Sequence, residues 1–348
     1  MKRIVVIALA LLTAAAALLV GAPAQAQQAD HELNIGSLAP RGTPWYDTLE
    51  TFKENVEEAS GGRIRVILRP PGQMGEVEMA REVRRGERLQ GAGITTAAIA
   101  EGGNISALQT VELPYLFRTD EEADHILDNV IWESMSTLLE RRGFVLGIWS
   151  ENGWRSFGTK GRALRTPADL RGFRMRSQES DVHMAMYNAY GAQAVQQPMT
   201  EVLTSLQSNV IDGLDNTPLY IMSAGLAGPL DYFTVTNHIY QPAAIIYSKR
   251  WFDTLPPDLQ EIVMSQRDLA AEGRTAIRTE SQAILELMGE SLEVVELTDA
   301  EVEAFAEIGE KTHADFAAKV GSTALLTQIQ EALAAFRSGE GSGEAAAE

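Results

Sequence analysis

Strand-like and helix-like hydrophobic patterns take turns along most of this chain, and that alternation leaves few architectures open. Glu32 to Leu38 has the pattern of a short strand and leads into Gly42-Thr43-Pro44. A helical pattern opens there with Leu49, Phe52 and Val56 on its apolar side, and Gly61-Gly62 stops it. Ile64, Val66 and Leu68 then alternate as in a strand. Beyond the Pro70-Pro71-Gly72 break come a charged helix from about Glu76 to Arg85 and a Gly-rich turn. An apolar strand around Ile94 to Ile99, a helix from about Glu121 to Arg141 and a strand at Phe144 to Trp149 follow. Strands that alternate with helices predict an α/β fold with largely parallel sheets.

A second unit starts near Glu151. Its strand patterns fall at Phe173 to Ser177, Ala194 to Gln197 and Ile211 to Leu214, with helical patterns between them. Pro242 to Ser248 has the pattern of a return strand, and one long helix is expected from Pro257 to about Leu292. The expected layout is therefore two lobes around a hinged cleft. Lobe I covers residues 27–151 with the returning chain at about 242–290, and lobe II covers 152–241 with part of the long C-terminal helices.

The first 26 residues follow the order of a secretory signal peptide: Lys2 and Arg3, an apolar stretch from Ile4 to Val20, and the small-residue ending Ala24-Gln25-Ala26. Cleavage after Ala26 would place the mature protein outside the inner membrane, in the periplasm. The chain has no cysteine, so it has neither disulfides nor a thiolate nucleophile. A mature chain of about 320 residues can bury enough apolar surface without covalent staples. Loss of Lys2 and Arg3 takes the formal charge from −19 to −21. Such acidity argues against nucleic acid as a partner. Residues 338–348 are Gly, Ser, Glu and Ala almost throughout, the composition of a disordered acidic tail.

Enzyme signatures are missing. His31, His125, His183, His238 and His313 are scattered, with no metal-ligand spacing among them. There is no G-x-S-x-G, and Gly91-Ala92-Gly93-Ile94 lacks the third glycine of a dinucleotide fingerprint. No cofactor is expected. The feature that stands out is cationic: Arg155 follows Trp154 at the start of the second unit, and Arg174 and Arg176 lie two apart on a strand pattern, sharing one face. That face could be solvated or could line a cleft, and parity does not say which arginine matters.

Asp169-Leu170-Arg171-Gly172-Phe173-Arg174-Met175-Arg176 resembles the D-L-K-G-L-K-I-R segment of the DctP family, the solute-binding proteins of TRAP (tripartite ATP-independent periplasmic) transporters. Further pieces fall in the family's order. Gly72-Gln73-Met74-Gly75, Leu113-Pro114-Tyr115-Leu116-Phe117, Ile211-Asp212-Gly213, Asn237-His238 and Leu255-Pro256-Pro257-Asp258-Leu259-Gln260 carry the resemblance along nearly the whole mature chain. It implies the two-lobed periplasmic binding protein fold, a small organic acid as ligand, and delivery to a small four-helix and a large twelve-helix membrane subunit.

By that resemblance Arg176 makes the salt bridge to the ligand carboxylate, Arg155 is a second ligand arginine and Asn216 a hydrogen-bonding partner, with Gln73 and Thr95 as further ligand contacts. Trp45, Trp154, Tyr220 and Tyr240 are candidates for an aromatic wall. Leu214-Asp215-Asn216 stands where a metal-using branch of the family has Glu-Trp, which argues against a metal-bridged ligand. Thr95-Thr96 stands where the sialic-acid branch has a glutamate, which argues against a polyhydroxylated acid. The rival readings are a receptor feeding a membrane sensor and a periplasmic enzyme.

Overall fold

The computed structural model describes residues 29–69 and 74–339. The expected signal peptide, Gln73 and nearly all of the expected tail lie outside them. One nine-stranded sheet organises the chain, in the order β2-β1-β3-β8-β4-β7-β5-β6 with β9 also on β8. The strands are β1 (His31–Ser37), β2 (Ile64–Arg69), β3 (Gly91–Thr95), β4 (Phe144–Thr159), β5 (Arg174–Ser177), β6 (Gln193–Gln196), β7 (Gly213–Asn216), β8 (Tyr232–Ser248) and β9 (Glu293–Glu296). At one end β2-β1-β3 is parallel, and at the other β7-β5-β6 is parallel. The antiparallel pair β4 and β8, 16 and 17 residues long, runs through both ends and makes the molecule two-lobed.

Each lobe has apolar packing on both faces of its part of the sheet. In the first, period-two alternation, reset in β4 by the register shift between Leu146 and Ile148, sends Val145, Ile148, Ile245 and Tyr247 to the core around Phe52 and Leu259. Leu146, Trp149, Ala244 and Ile246 go to the other face, against Ile99, Leu127 and Phe316. The second lobe has one core around Phe157, Met186 and Phe305 and another around Leu206, Ile221 and Phe233. The Leu269–Met288 helix bridges the two: Leu269 packs in a first-lobe core and Met288 in a second-lobe core.

Three elements differ from the sequence expectation. The apolar run at Ile94 to Ile99 is a strand only to Thr95, after which Thr96–Gly103 is helical. Both pieces are buried nearly all round, so hydrophobicity there has no period to distinguish them. The expected helix at 121–141 is broken by a π-helical turn at Ile126–Val130. The expected helix at 257–292 is interrupted at Ser265–Asp268, where the Arg267 guanidinium leaves the helix line to lie 4.3 Å over the Trp132 ring.

The short strands expected at Phe144 to Trp149 and Pro242 to Ser248 are the ends of the two crossing strands. Glu151, expected at the start of the second unit, lies in the middle of β4. Register shifts between Leu146/Ile148, Glu151/Gly153 and Arg155/Phe157 let the pair twist from one lobe into the next. Gly153 takes a φ of +106° at the central shift, a backbone conformation that only glycine adopts freely.

The motif glycine Gly213 is explained by packing. A Cβ there would sit 2.5 Å from the Gly158 carbonyl oxygen of the adjoining strand and 3.0 Å from Met175 Sδ. Because the nearest atom is backbone within a sheet, Gly213→Ala is expected to destabilise the protein by about 1–3 kcal/mol, visible as a lowered urea midpoint at unchanged slope.

Candidate functional site

The crossing section of β4 and β8 forms the floor of a crevice between the lobes, and its polar residues converge there. Arg155 projects into it from β4 and Gln241 from β8. Arg176 comes from the end of β5, Asn216 from the end of β7 and Glu76 from the first turn of the Glu76–Arg85 helix. Two chambers share Leu38, Glu76, Thr95, Asn152 and Tyr220 as common walls and have volumes of about 60 and 70 Å³. Each has room for several water molecules.

The arginines differ in what already satisfies them. Arg174 lies at the outer start of β5 and clamps Asp212, the acid of the Ile211-Asp212-Gly213 motif, through Nε at 2.9 Å and Nη2 at 2.5 Å. Arg155 is buried and its charge is neutralised. Nε donates to Asp215 Oδ2 at 2.5 Å, Nη2 to the Asp215 carbonyl at 2.5 Å and Nη1 to Gln241 Oε1 at 2.6 Å. Arg176 is 3 % exposed and, among the described residues, has no carboxylate within salt-bridge distance. Nε donates to the Gln197 carbonyl at 3.0 Å, while Nη1 is buried without a hydrogen-bond partner among the described residues. Burial, with the Arg155 charge beside it, pulls its pKa down to about 10. At neutral pH it remains a cation aimed into the crevice.

Behind these groups lies a buried polar network. Burial pushes the Asp215 carboxyl up, but Arg155 and the neighbouring His183 and His238 hold it well below the usual range. Tyr187 donates to its Oδ1 at 2.7 Å. Glu112 is likewise held low against burial. It accepts from His183 at 2.9 Å, Gln178 at 2.9 Å, Gln241 at 2.8 Å and the Ala97 amide at 2.6 Å. Asn216 turns its Oδ1 inward to the Asn152 side chain and the Thr217 amide, each at 2.9 Å.

Of the expected site residues, Arg176, Arg155, Asn216, Thr95, Tyr220 and Trp45 all line the two chambers. Trp45 and Tyr220 form one wall with ring centroids 6.0 Å apart, and Trp45 Nε1 donates to the Glu151 carbonyl at 2.9 Å. Trp154 and Tyr240 do not belong to that wall. They pair with each other across β4 and β8 on the opposite face from Arg155 and Gln241, 5.3 Å apart, and bond Asp120 and Glu151 respectively. Strand alternation puts neighbours in sequence on opposite faces, so a cleft-facing Arg155 carries Trp154 away from the cleft.

Glu76, Glu112, Gln178 and Gln241 escape a reading by motif. Their only signal in sequence is a polar residue inside or beside an apolar run. The Glu76 carboxylate accepts from Thr95 Oγ1 at 2.9 Å and from the Thr95 amide at 3.3 Å. The crevice thus has a glutamate next to Thr95, supplied by a helix instead of the strand, and the sequence argument against a polyhydroxylated acid loses its basis. Burial raises the Glu76 carboxyl above its ordinary value, offset in part by Thr95 and then Arg176. A raised carboxylate is a penalty where it is ionised and none where it is protonated. Glu76→Gln is therefore expected to raise the melting temperature of the ligand-free protein at pH 7, and the gain should vanish as the pH falls below about 4.

Two lobes that share a sheet and enclose a polar crevice, with a buried guanidinium that has no carboxylate partner among the described residues, are the features of a solute-binding protein. The sequence profile of bacterial extracellular solute-binding protein family 7, DctP, matches residues 35–319. The chain belongs to that family, whose members are substrate-binding transport proteins and not enzymes. A solute-binding protein of Verminephrobacter eiseniae is 30 % identical over 290 residues, covering 82 % of this chain and 84 % of that one. The 2,3-diketo-L-gulonate-binding periplasmic protein of Escherichia coli is 28 % identical over 74 % of this chain and 77 % of its own. The crystal structure of a TRAP periplasmic solute-binding protein from Sulfurospirillum deleyianum with bound succinate superposes with a TM-score of 0.81 at 22 % identity, covering 87 % of this chain and 99 % of that one.

Proposed function

We propose that this protein is the periplasmic component of a TRAP transporter, that it captures a small organic acid through Arg176, and that it hands the acid to the membrane subunits. The observation that carries the reading is the state of Arg176: buried, charged, and with a donor nitrogen that no group among the described residues accepts from. Leaving a buried donor unmade costs about 1–3 kcal/mol, more when the group is charged. A carboxylate placed against the planar fork removes that cost and supplies charge-assisted hydrogen bonds. The E. coli relative and the succinate complex are named for carboxylates, consistent with such a head group.

In this reading Arg155 serves a different purpose from Arg176. Bound to Asp215 and Gln241, it is a positioning residue that holds Gln241 and Asn216 in place beside the carboxylate. Asn216, with its oxygen engaged inside the protein, presents its amide nitrogen to the ligand. Glu76 accepts from a hydroxyl or other donor further along the ligand. Closure follows from contacts to both lobes at once, since a ligand bridging Arg176 and Glu76 favours the closed population. The test is a thermal-shift and calorimetric screen of residues 27–348 against carboxylates and their uncharged amides. Acids that raise the melting temperature while their amides do not support the reading, and equal responses to acids and amides overturn it.

A further inference from the structure

The second chamber differs chemically from the first. Its floor is the small and apolar stretch of β3 and β8 formed by Gly93, Ile94, Ala243, Ala244 and Ile245, and its side is the Trp45–Tyr220 wall. Among the described residues no arginine or lysine lines it. Tyr220 and Glu76, common to both chambers, stand between the Arg176 end and this apolar end. A ligand anchored by its carboxylate at Arg176 therefore meets Glu76 next and an apolar surface last.

Resting on the carboxylate reading above, we propose that the substrate is an amphipathic monocarboxylate: an acid with a hydroxyl or similar donor near its head and a branched or aromatic apolar body that fills the chamber under Trp45. Hydroxyls along the far end of a sugar acid, or the second carboxylate of a dicarboxylic acid, would face Leu49, Ile94 and Ile245, while Thr48 already donates to the Pro44 carbonyl and Asn152 to Asn216 and Gln241. Each loses hydration on that mainly apolar surface for little in return. An apolar body gains from the same surface.

Calorimetric titration of residues 27–348 with phenyllactate, 2-hydroxyisocaproate, lactate, succinate and gluconate tests this. The expected order puts the two apolar-bodied hydroxy acids at least roughly tenfold tighter than the other three. Gly93→Ala fits the fold, since its Cβ would meet Leu49 Cδ2 at 3.5 Å, and it puts a methyl group into the chamber. It should weaken the apolar-bodied acids by roughly tenfold while leaving lactate within about twofold. Arg176-dependent binding in which succinate or gluconate equals or exceeds the apolar-bodied acids overturns the proposal and leaves the carboxylate reading intact. Binding of every acid that is unaffected by Arg176→Ala overturns both. The wild-type ligand order alone decides the proposal if Gly93→Ala does not fold.

Discussion

Arg176→Ala is expected to abolish ligand binding without weakening the ligand-free fold. Truncating one partner of a buried, hydrogen-bonded charge pair costs about 2–5 kcal/mol, or roughly 30-fold to several thousand-fold in affinity. What distinguishes this site is the other half of the experiment. In the ligand-free protein Arg176 is a buried cation whose one hydrogen bond among the described residues is to the Gln197 carbonyl, so its removal relieves desolvation and repulsion from Arg155 instead of breaking a pair. The apo melting temperature should stay level or rise, and the ligand-induced shift should disappear. Arg176→Lys should bind weakly, because an ammonium keeps the charge and loses the fork. An apo protein that melts several degrees lower as Arg176→Ala would mean that Arg176 holds the fold together and is not kept free for a ligand.

Asp215→Asn should do the reverse, with the largest loss of stability of any conservative change at the site. Arg155 and Asp215 are 1 % and 0 % exposed, and breaking such a pair leaves a buried charge uncompensated, at a cost of about 3–5 kcal/mol. The expected result is a large drop in denaturant midpoint in apo and liganded protein alike. The pH dependence has a definite sign. The folded pKa of Asp215 is depressed, so the stability it contributes is present above the unfolded carboxyl value of about 3.9 and is lost as the pH falls through its lower folded value. Wild type should therefore lose stability over that acid range by more than Asp215→Asn does. Parallel acid titration curves for the two proteins would count against the assignment.

The architecture was legible because most elements obey one period and end at glycine or proline. Where legibility failed, the cause was burial of polar groups. Glu151, Arg155, His238 and Gln241 sit inside the two crossing strands: Arg155 and Gln241 are bonded to each other and, respectively, to Asp215 and Glu112, Glu151 to Arg278, and His238 to Thr236. A strand whose central side chains are polar and buried has neither the alternation of a half-exposed strand nor the apolar run of a buried one. Each crossing strand is visible in sequence only at one apolar end, Phe144 to Trp149 of β4 and Pro242 to Ser248 of β8. The paired arginines show a second limit: strand parity puts Arg174 and Arg176 on one face, and only the position of Asp212 decides which of them is already engaged. Trp154 and Tyr240 show a third, since assigning them a face requires the register of β4 against β8.

Several motif pieces turn out to be partners of each other instead of contacts for a solute. The Tyr115 amide donates to the His238 carbonyl at 2.7 Å, joining Leu113-Pro114-Tyr115 to Asn237-His238. The Arg174–Asp212 clamp likewise joins the segment at 169–176 to the one at 211–213.

Among the described residues four segments pass between the lobes: β4, β8, the Leu269–Met288 helix and the stretch from Phe305, in a second-lobe core, to Phe316, in a first-lobe core. The first two are hydrogen-bonded to each other almost without interruption. A chimaera that took the Arg176 half from this chain and the Trp45 half from a relative would have to be spliced through both ladders in matching register and through a helix packed in two cores. New solute preferences in this architecture are thus accessible through side chains on the crevice wall, while exchange of whole halves is obstructed by the backbone they hold in common.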